Sequence, residues 1–368
     1  MFKNTAAWVP GPKLPLEVKS APYTRPLANE VVIRNHAVAV NPIDWIVKDM
    51  GEIIFGWIKY PTIFGCDVAG EVVEVGSSVT HFKIGDRVLS YALSMNQKTV
   101  GPSKGGFQLY TVLLEHMTSA IPATLSYEKA AVFPLGLATA AAGLFEKNQL
   151  GLEYPTVPKS LSNGKTLIIW GGSTSVGVNA IQLAVAAGYE VFTTCSPKNS
   201  NLVASLGASK TFDYKSRTVV SDMITALKGK TVAGALTMGD GGADACMDIL
   251  AKCEGNKFIS MATYPKPKTP PKRFAVPIGI YTFVSWSAKN WVKSKTNGVN
   301  TIFIEASTVV ENGVGKMIFE DFLPRALEGG NFVAAPDPLV IGKGLEFANE
   351  AVEKQKAGVS AKKVMISL

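Results

Sequence analysis

The stretch Lys165–Gly188, KTLIIWGGSTSVGVNAIQLAVAAG, decides the fold. KTLIIW is an apolar run of strand length, GGSTSVG is a turn of small residues, and VNAIQLAVAAG reads as a helix stopped by Gly188. A dinucleotide pyrophosphate needs close approach to backbone N–H groups and favours the positive end of a helix, so small residues directly after a strand have a physical use. Gly172, Ser173, Thr174, Ser175 and Val176 are therefore the candidate phosphate-binding turn, with the three hydroxyls as added donors. The plainer alternative is an ordinary tight strand-to-helix connection. A second strand, YEVFTT at 189–194, follows at the expected distance and supplies the context that a lone glycine-rich turn lacks.

Beyond that strand, Cys195-Ser196-Pro197-Lys198-Asn199 stands where such a domain meets the adenosine ribose. NAD-preferring sites commonly place Asp or Glu there to accept from the ribose 2′-hydroxyl, and neither occurs from Val191 through Asn201. Ser196 and Asn199 are expected to hydrogen-bond a 2′-phosphate and Lys198 to neutralise it, with Tyr214 near the adenine end. The expected cofactor is NADP.

Working outward, apolar strands at Thr166–Trp170, Glu190–Thr194, Ala233–Met238 and Lys257–Met261 alternate with helical segments, which predicts a parallel sheet covered by helices. Met238 and Met261 follow two of these strands, near the carboxyl ends where ligands gather; core packing is their alternative use. IGIYTFVSW at 278–286 reads either as a substrate-channel wall or as a sheet-edge strand for subunit pairing. Upstream, Glu30–Asn35, Asp67–Val75, Arg87–Tyr91 and Gln108–Leu113 are strand-like segments parted by Gly and Pro turns, which predicts a compact, barrel-like β domain. Downstream, Val314–Leu327 reads as a helix and Leu339–Ser367 as strand, amphipathic helix and strand.

A chain of 368 residues with 47% apolar and 18% charged content accommodates two well-packed domains and excludes a disulfide-stapled miniature. The formal charge of +8 suits a phosphorylated ligand, an anionic surface or nucleic acid and does not choose among them. Its basic residues are dispersed except for Lys266, Lys268, Lys272 and Arg273, so no nucleic-acid partner is expected. Four cysteines without a close pair, a start lacking a secretory apolar region, and no apolar run of bilayer length predict a cytoplasmic protein with no membrane association.

NPID at 41–44, GCDVAGEVVEVG at 65–76, GDRV at 85–88 and LSYEKAAVFPLGLATA at 125–140, in that order before the phosphate turn, make the chain resemble the medium-chain dehydrogenase/reductase superfamily. The likeness is to its zinc-independent quinone-oxidoreductase and enoyl-reductase branch. GGSTSVG, CSPKN and FDY add a similarity to the trans-acting enoyl reductases of fungal polyketide pathways. The resemblance implies an α/β chain: a GroES-like β domain over 1–137 and 322–368 around an inserted Rossmann NADP-binding domain over 138–321, with the active site between them.

Zinc alcohol dehydrogenases of that superfamily bring a Cys and a His–Glu pair to the metal, whereas the corresponding positions here are Asn41, Cys66 and Asp67, so no metal site is expected. No structural-zinc lobe is expected either, because 92–106, ALSMNQKTVGPSKGG, holds no cysteine. Two departures matter. Thr174 stands where related turns often carry glycine, and Gly51, Glu52 and Ile53 stand where several enoyl reductases place a proton-donating tyrosine.

Without zinc, the simplest reaction is hydride transfer from NADPH to the carbon–carbon double bond of an enone or enoyl thioester, including a polyketide intermediate. Asn41 and Lys48 are the catalytic candidates, a turn-forming Asn-Pro and a surface lysine being their plain alternatives. Ile43 and Asp44 are expected on the cofactor wall, and Thr139 at the nicotinamide ribose, with a helix-start hydroxyl as its alternative. His36, His81 and His116 take ordinary packing or surface roles. A quinone reductase and a non-catalytic NADPH- or nucleic-acid-binding protein remain as alternatives. The expected partners are a small or carrier-bound enoyl substrate and a polyketide synthase, with the chain a monomer or homodimer.

Overall fold

The computed structural model describes residues 2–265 and 275–368. The basic cluster Lys266, Lys268, Lys272 and Arg273 lies outside the described residues. Two compact units form, one from residues 1–138 and 307–368, the other from 139–306.

The first unit opens with β1 (Asn4–Trp8), β2 (Glu17–Ala21), β3 (Glu30–Ala39), α1 (Pro42–Ile54), β4 (Asp67–Val75), β5 (Arg87–Tyr91), β6 (Tyr110–Leu114), β7 (Thr118–Ala120) and α2 (Tyr127–Ala130). The unit boundary falls inside α3 (Pro134–Phe145). The second unit runs β8 (Lys165–Trp170), α4 (Ser175–Ala186), β9 (Glu190–Cys195), α5 (Ser200–Ser205), β10 (Lys210–Asp213), α6 (Val219–Ala226) and β11 (Thr231–Thr237). It continues through α7 (Gly242–Leu250), β12 (Glu254–Gly255), β13 (Phe258–Met261), α8 (Ala275–Asn297) and β14 (Asn300–Phe303). The chain re-enters the first unit with α9 (Val314–Lys316), α10 (Leu323–Glu328), β15 (Asp337–Lys343), α11 (Ala348–Ala357) and β16 (Lys362–Ser367).

In the second unit the parallel sheet has the order β10-β9-β8-β11-β13-β14, with β12 paired to β11. Counted from β8, the path is 3-2-1-4-5-6, the doubly wound order whose direction of growth reverses between β8 and β11. The near-continuous apolar character of KTLIIW follows from burial on both faces: every residue of β8 after Lys165 is buried. Between Val232 and Ala235 the β8–β11 register shifts, at Gly234 with φ +111°. A Cβ there would stand 2.3 Å from Leu150 Cδ2 and 2.9 Å from the carbonyl oxygen of Phe258, so this bulge requires glycine.

The first unit's main sheet has the order β15-β16-β3-β4-β5-β7, with β6 also paired to β3; β1 and β2 form a separate antiparallel pair. Its core draws on both chain segments, from Val31, Phe64 and Phe107 to Val364 and Ile366.

Three expectations are corrected. IGIYTFVSW lies in α8, not in a strand, and β14 is the sheet edge. The aromatic run has no strand alternation: Trp286 and Asn290 turn inward, Asn290 Nδ2 donating to Thr301 Oγ1 at 2.9 Å, while Ile280, Tyr281, Val284 and Trp291 form an exposed outer stripe at helical spacing. Second, Val314–Leu327 is not one α-helix, because a π-helical turn over Met317–Phe322 separates α9 from α10. Pro324 has no N–H to donate and its ring crowds the carbonyl four residues earlier, which breaks the regular ladder. Third, the return to the first unit begins at Ser307 rather than at 322. Residues 307–321 pack there because His116 Nε2 meets the Val310 carbonyl at 3.1 Å and His81 Nε2 meets Glu320 Oε1 at 3.0 Å.

Candidate functional site

In the second unit the site is built on the turn between β8 and α4. Gly171 takes φ +90°, Gly172 packs so closely that a Cβ would lie 2.1 Å from Thr193 Oγ1, and a Cβ on Gly177 would lie 2.3 Å from the Gly171 carbonyl oxygen. Backbone thus approaches backbone where any side chain would intrude, and the N-terminus of α4 opens at the point where the sheet order reverses. Thr174 is the N-cap: its Oγ1 accepts from Gly177 N at 3.0 Å and donates to the Gly171 carbonyl at 2.9 Å. That corrects its expected role as a phosphate donor, since the hydroxyl proton is already used within the turn. Ser173 Oγ accepts from Asn199 Nδ2 at 3.2 Å, joining the turn to the segment after β9. Ser175 and Val176 are half-buried at the start of α4.

The remaining nucleotide candidates gather at the same sheet end. Ser196 is half-buried after β9, Lys198 is exposed, and Tyr214 is exposed after β10. Met238 and Met261 are buried at the carboxyl ends of β11 and β13, and Met238 N donates to the Trp170 carbonyl at 2.9 Å. A dinucleotide fits this cradle of glycines, helix terminus and acid-free strand end. Thr139 is half-buried within α3, five residues past Pro134, so it is not a helix-start hydroxyl.

In the first unit the site candidates converge on a buried polar cluster. Asn41, the N-cap residue of α1, accepts from Lys363 Nζ through Oδ1 at 2.5 Å and donates through Nδ2 to Asp67 Oδ2 at 2.8 Å. Lys363 Nζ also pairs with Asp67 Oδ2 at 2.6 Å, and Asp67 Oδ1 accepts from Leu135 N at 2.6 Å, in the first turn of α3. Asp67 has no exposed surface and Lys363 only 3%. A pair this deep is sustained by hydrogen bonds at both ends of the charge.

Asp44 takes a capping role instead of the expected cofactor wall. Its Oδ2 accepts from Asn41 N at 2.7 Å and its Oδ1 from Gly65 N at 3.2 Å. Burial, with repulsion from Asp67, pushes its pKa up to about 7 against the opposing pull of the two N–H groups and Lys363. Ile43 is half-buried beside it. Lys48 is buried rather than a surface lysine: its Nζ lies 3.5 Å from Asp49 Oδ1 and 3.9 Å from Glu353 Oε1.

A zinc ion of the kind held by the superfamily's metal-dependent members does not fit this cluster. The Lys363 ammonium takes the place between Asn41 and Asp67, and burial pushes the Cys66 thiol well up, against the thiolate form that binds metal. Among the described residues no group of three His, Cys, Asp or Glu side chains can hold a metal ion.

Lys363 escaped the sequence reading. Its one signal is a lysine at the start of the apolar run KVMISL, a position that a strand buries only when a partner waits for the charge. The capping roles of Asp67 and Thr174 were likewise invisible, because each depends on which backbone amide the fold brings near.

A GroES-like sheet and a doubly wound nucleotide unit with this glycine turn together define an oxidoreductase architecture, and the chain belongs to the medium-chain dehydrogenase/reductase superfamily. Residues 27–123 match the alcohol dehydrogenase GroES-like domain family. The chain is 56% identical over 369 residues to the dehydrogenase pigH of Monascus ruber, covering 100% of both proteins. It is 37% identical to the trans-enoyl reductase himH of Aspergillus japonicus, covering 99% of this chain and 97% of that protein. Among solved structures, the CurK enoyl reductase shares the fold with a TM-score of 0.73 at 20% identity, over 100% of this chain and 99% of that one.

Proposed function

We propose that this protein is an NADPH-dependent, zinc-independent reductase of activated carbon–carbon double bonds, acting on an enone or enoyl thioester. The observation that supports this reading is the buried Asn41–Lys363–Asp67 cluster, in which an ammonium already occupies two of the side chains that the resemblance aligns with metal-ligand positions. A carbonyl or alcohol then lacks its Lewis acid, while conjugate reduction needs only a donor for the charge that develops on the substrate's carbonyl oxygen. The trans-enoyl reductase among the relatives supports the same chemistry.

Bound NADPH supplies the hydride. The β8–α4 turn would hold its pyrophosphate, and the segment after β9, with no acid from Val191 through Asn201, would leave room for the 2′-phosphate, with Ser196 and Lys198 as its partners. Asn41 offers a hydrogen-bond donor to the enolate-like oxygen. The natural substrate in this reading is a carrier-bound polyketide intermediate presented by a synthase, and the protein works in the cytoplasm.

The test compares oxidation of NADPH and NADH with a simple enone, an enoyl thioester and a quinone, each against a substrate-free control and with a chelator. Deuterium from 4-deuterated NADPH should appear on carbon of the reduced alkene, and chelator should leave the rate unchanged. Quinone turnover without alkene reduction would overturn the reading. Lys198→Ala should weaken NADPH more than NADH, by about tenfold for the loss of one charge-assisted phosphate contact; equal weakening of both would remove Lys198 from 2′-phosphate recognition.

A further inference from the structure

The Asn41 carboxamide has only one orientation available to it. A lysine ammonium can only donate and a carboxylate only accept, so Oδ1 must face Lys363 and Nδ2 must face Asp67, as observed at 2.5 and 2.8 Å. Its oxygen is therefore spent on a cation and one amide proton on an anion. The other amide proton is the group's remaining capacity, and an ammonium on the oxygen of an amide draws charge toward it and strengthens the N–H as a donor.

We propose that Lys363 is a positioning residue for the reaction: pinned between Asn41 Oδ1 and Asp67 Oδ2, it locks the Asn41 carboxamide as a one-way donor whose second N–H meets the oxygen that gains charge. This rests on the reductase reading above. Lys363 acts from β16, more than 300 residues along the chain from Asn41, and does so without touching substrate, being nearly sealed from solvent. The same ammonium neutralises Asp67 while that carboxylate holds Leu135 N, so one charge fixes the entry to α1 and the entry to α3 together.

The experiment is Lys363→Met in the full chain, which keeps the side chain's length and removes its charge. NADPH affinity, set by the β8–α4 turn, is expected to stay within about twofold, while kcat for the enone falls about 10- to 100-fold with a much smaller change in KM. Asparagine-selective 15N spectra, assigned with Asn41→Ser, should show the Asn41 side-chain resonances displaced in the wild-type protein and moved toward solvent-like positions in the variant. A folded Lys363→Met protein with kcat within about twofold of wild type would overturn the proposal. So would unmoved Asn41 resonances.

Should Lys363→Met fail to fold, Lys363→Met/Asp67→Asn removes the buried charges as a pair. It is expected to fold and still lose kcat, and wild-type kcat in that double variant would equally overturn the proposal. If the wild-type protein reduces no alkene, the reductase reading fails by itself, and the Asn41 resonances still decide whether Lys363 locks the carboxamide.

Discussion

At the residue scale, the site is governed by where polar atoms are already spent. Thr174, expected to face phosphate, has its hydroxyl closed on Gly171 and Gly177. Thr174→Ala should therefore cost about 1 kcal/mol of stability through loss of the cap, measured by urea unfolding without ligand, where a loss seen only in NADPH affinity would restore the phosphate role. Asp44 makes a pH prediction. Its pKa rises on folding from 3.8 to about 7, chiefly through burial, so the folded state favours the protonated form. Its contribution to stability is full below the unfolded value and disappears as pH climbs through the folded one. The stability of Asp44→Asn relative to wild type should therefore improve as pH rises from about 4 to 8, and a pH-independent difference in urea titrations would contradict this.

At the element scale, periodicity made most strands legible, since Asp67–Val75 and Arg87–Tyr91 form over the residues expected. It failed where an apolar run was short of polar contrast: IGIYTFVSW fits a strand or a helix by composition, and it lies within α8, whose inner face sets Trp286 against Phe303 and, one turn beyond the run, Asn290 against Thr301. The π-turn before α10 was hidden for a different reason, because Val314–Leu327 carries good helical spacing and its break is forced by a single proline. The bulge in β11 is the sharpest element-level test. Gly234→Ala adds a β-carbon into Leu150 and forces a left-handed backbone on an alanine, so it should destabilise by about 1–3 kcal/mol. Hydrogen exchange across β8 and β11 should register the loss, and exchange as slow as in the wild-type protein would show that the bulge tolerates a side chain.

For the whole molecule, the glycine turn, the alternation of strands and helices around it and four strands of the first unit were readable because each is local in sequence. The Asn41–Asp67–Lys363 cluster was not, because its members lie 26 and 322 positions from Asn41 and meet only in the folded sheet. The two cores give independent handles. Trp8, Trp45 and Trp57 belong to the first unit, and Trp170, Trp286 and Trp291 to the second. With NADPH at about 100 times its dissociation constant, the second unit should gain about 2.7 kcal/mol, read by single-tryptophan variants reporting from Trp170; an unshifted Trp170 transition would mean that the cofactor binds elsewhere.

The first unit closes on strands drawn from both sides of the second, and β16, which bonds β3, carries Lys363. During synthesis the whole nucleotide-binding unit leaves the ribosome before β16 does. The second unit can thus be packed while Asp67, in an unfinished sheet, still lacks its counter-charge and Asn41 Oδ1 its donor. Completion of the first unit is a late event, marked by the arrival of a single lysine.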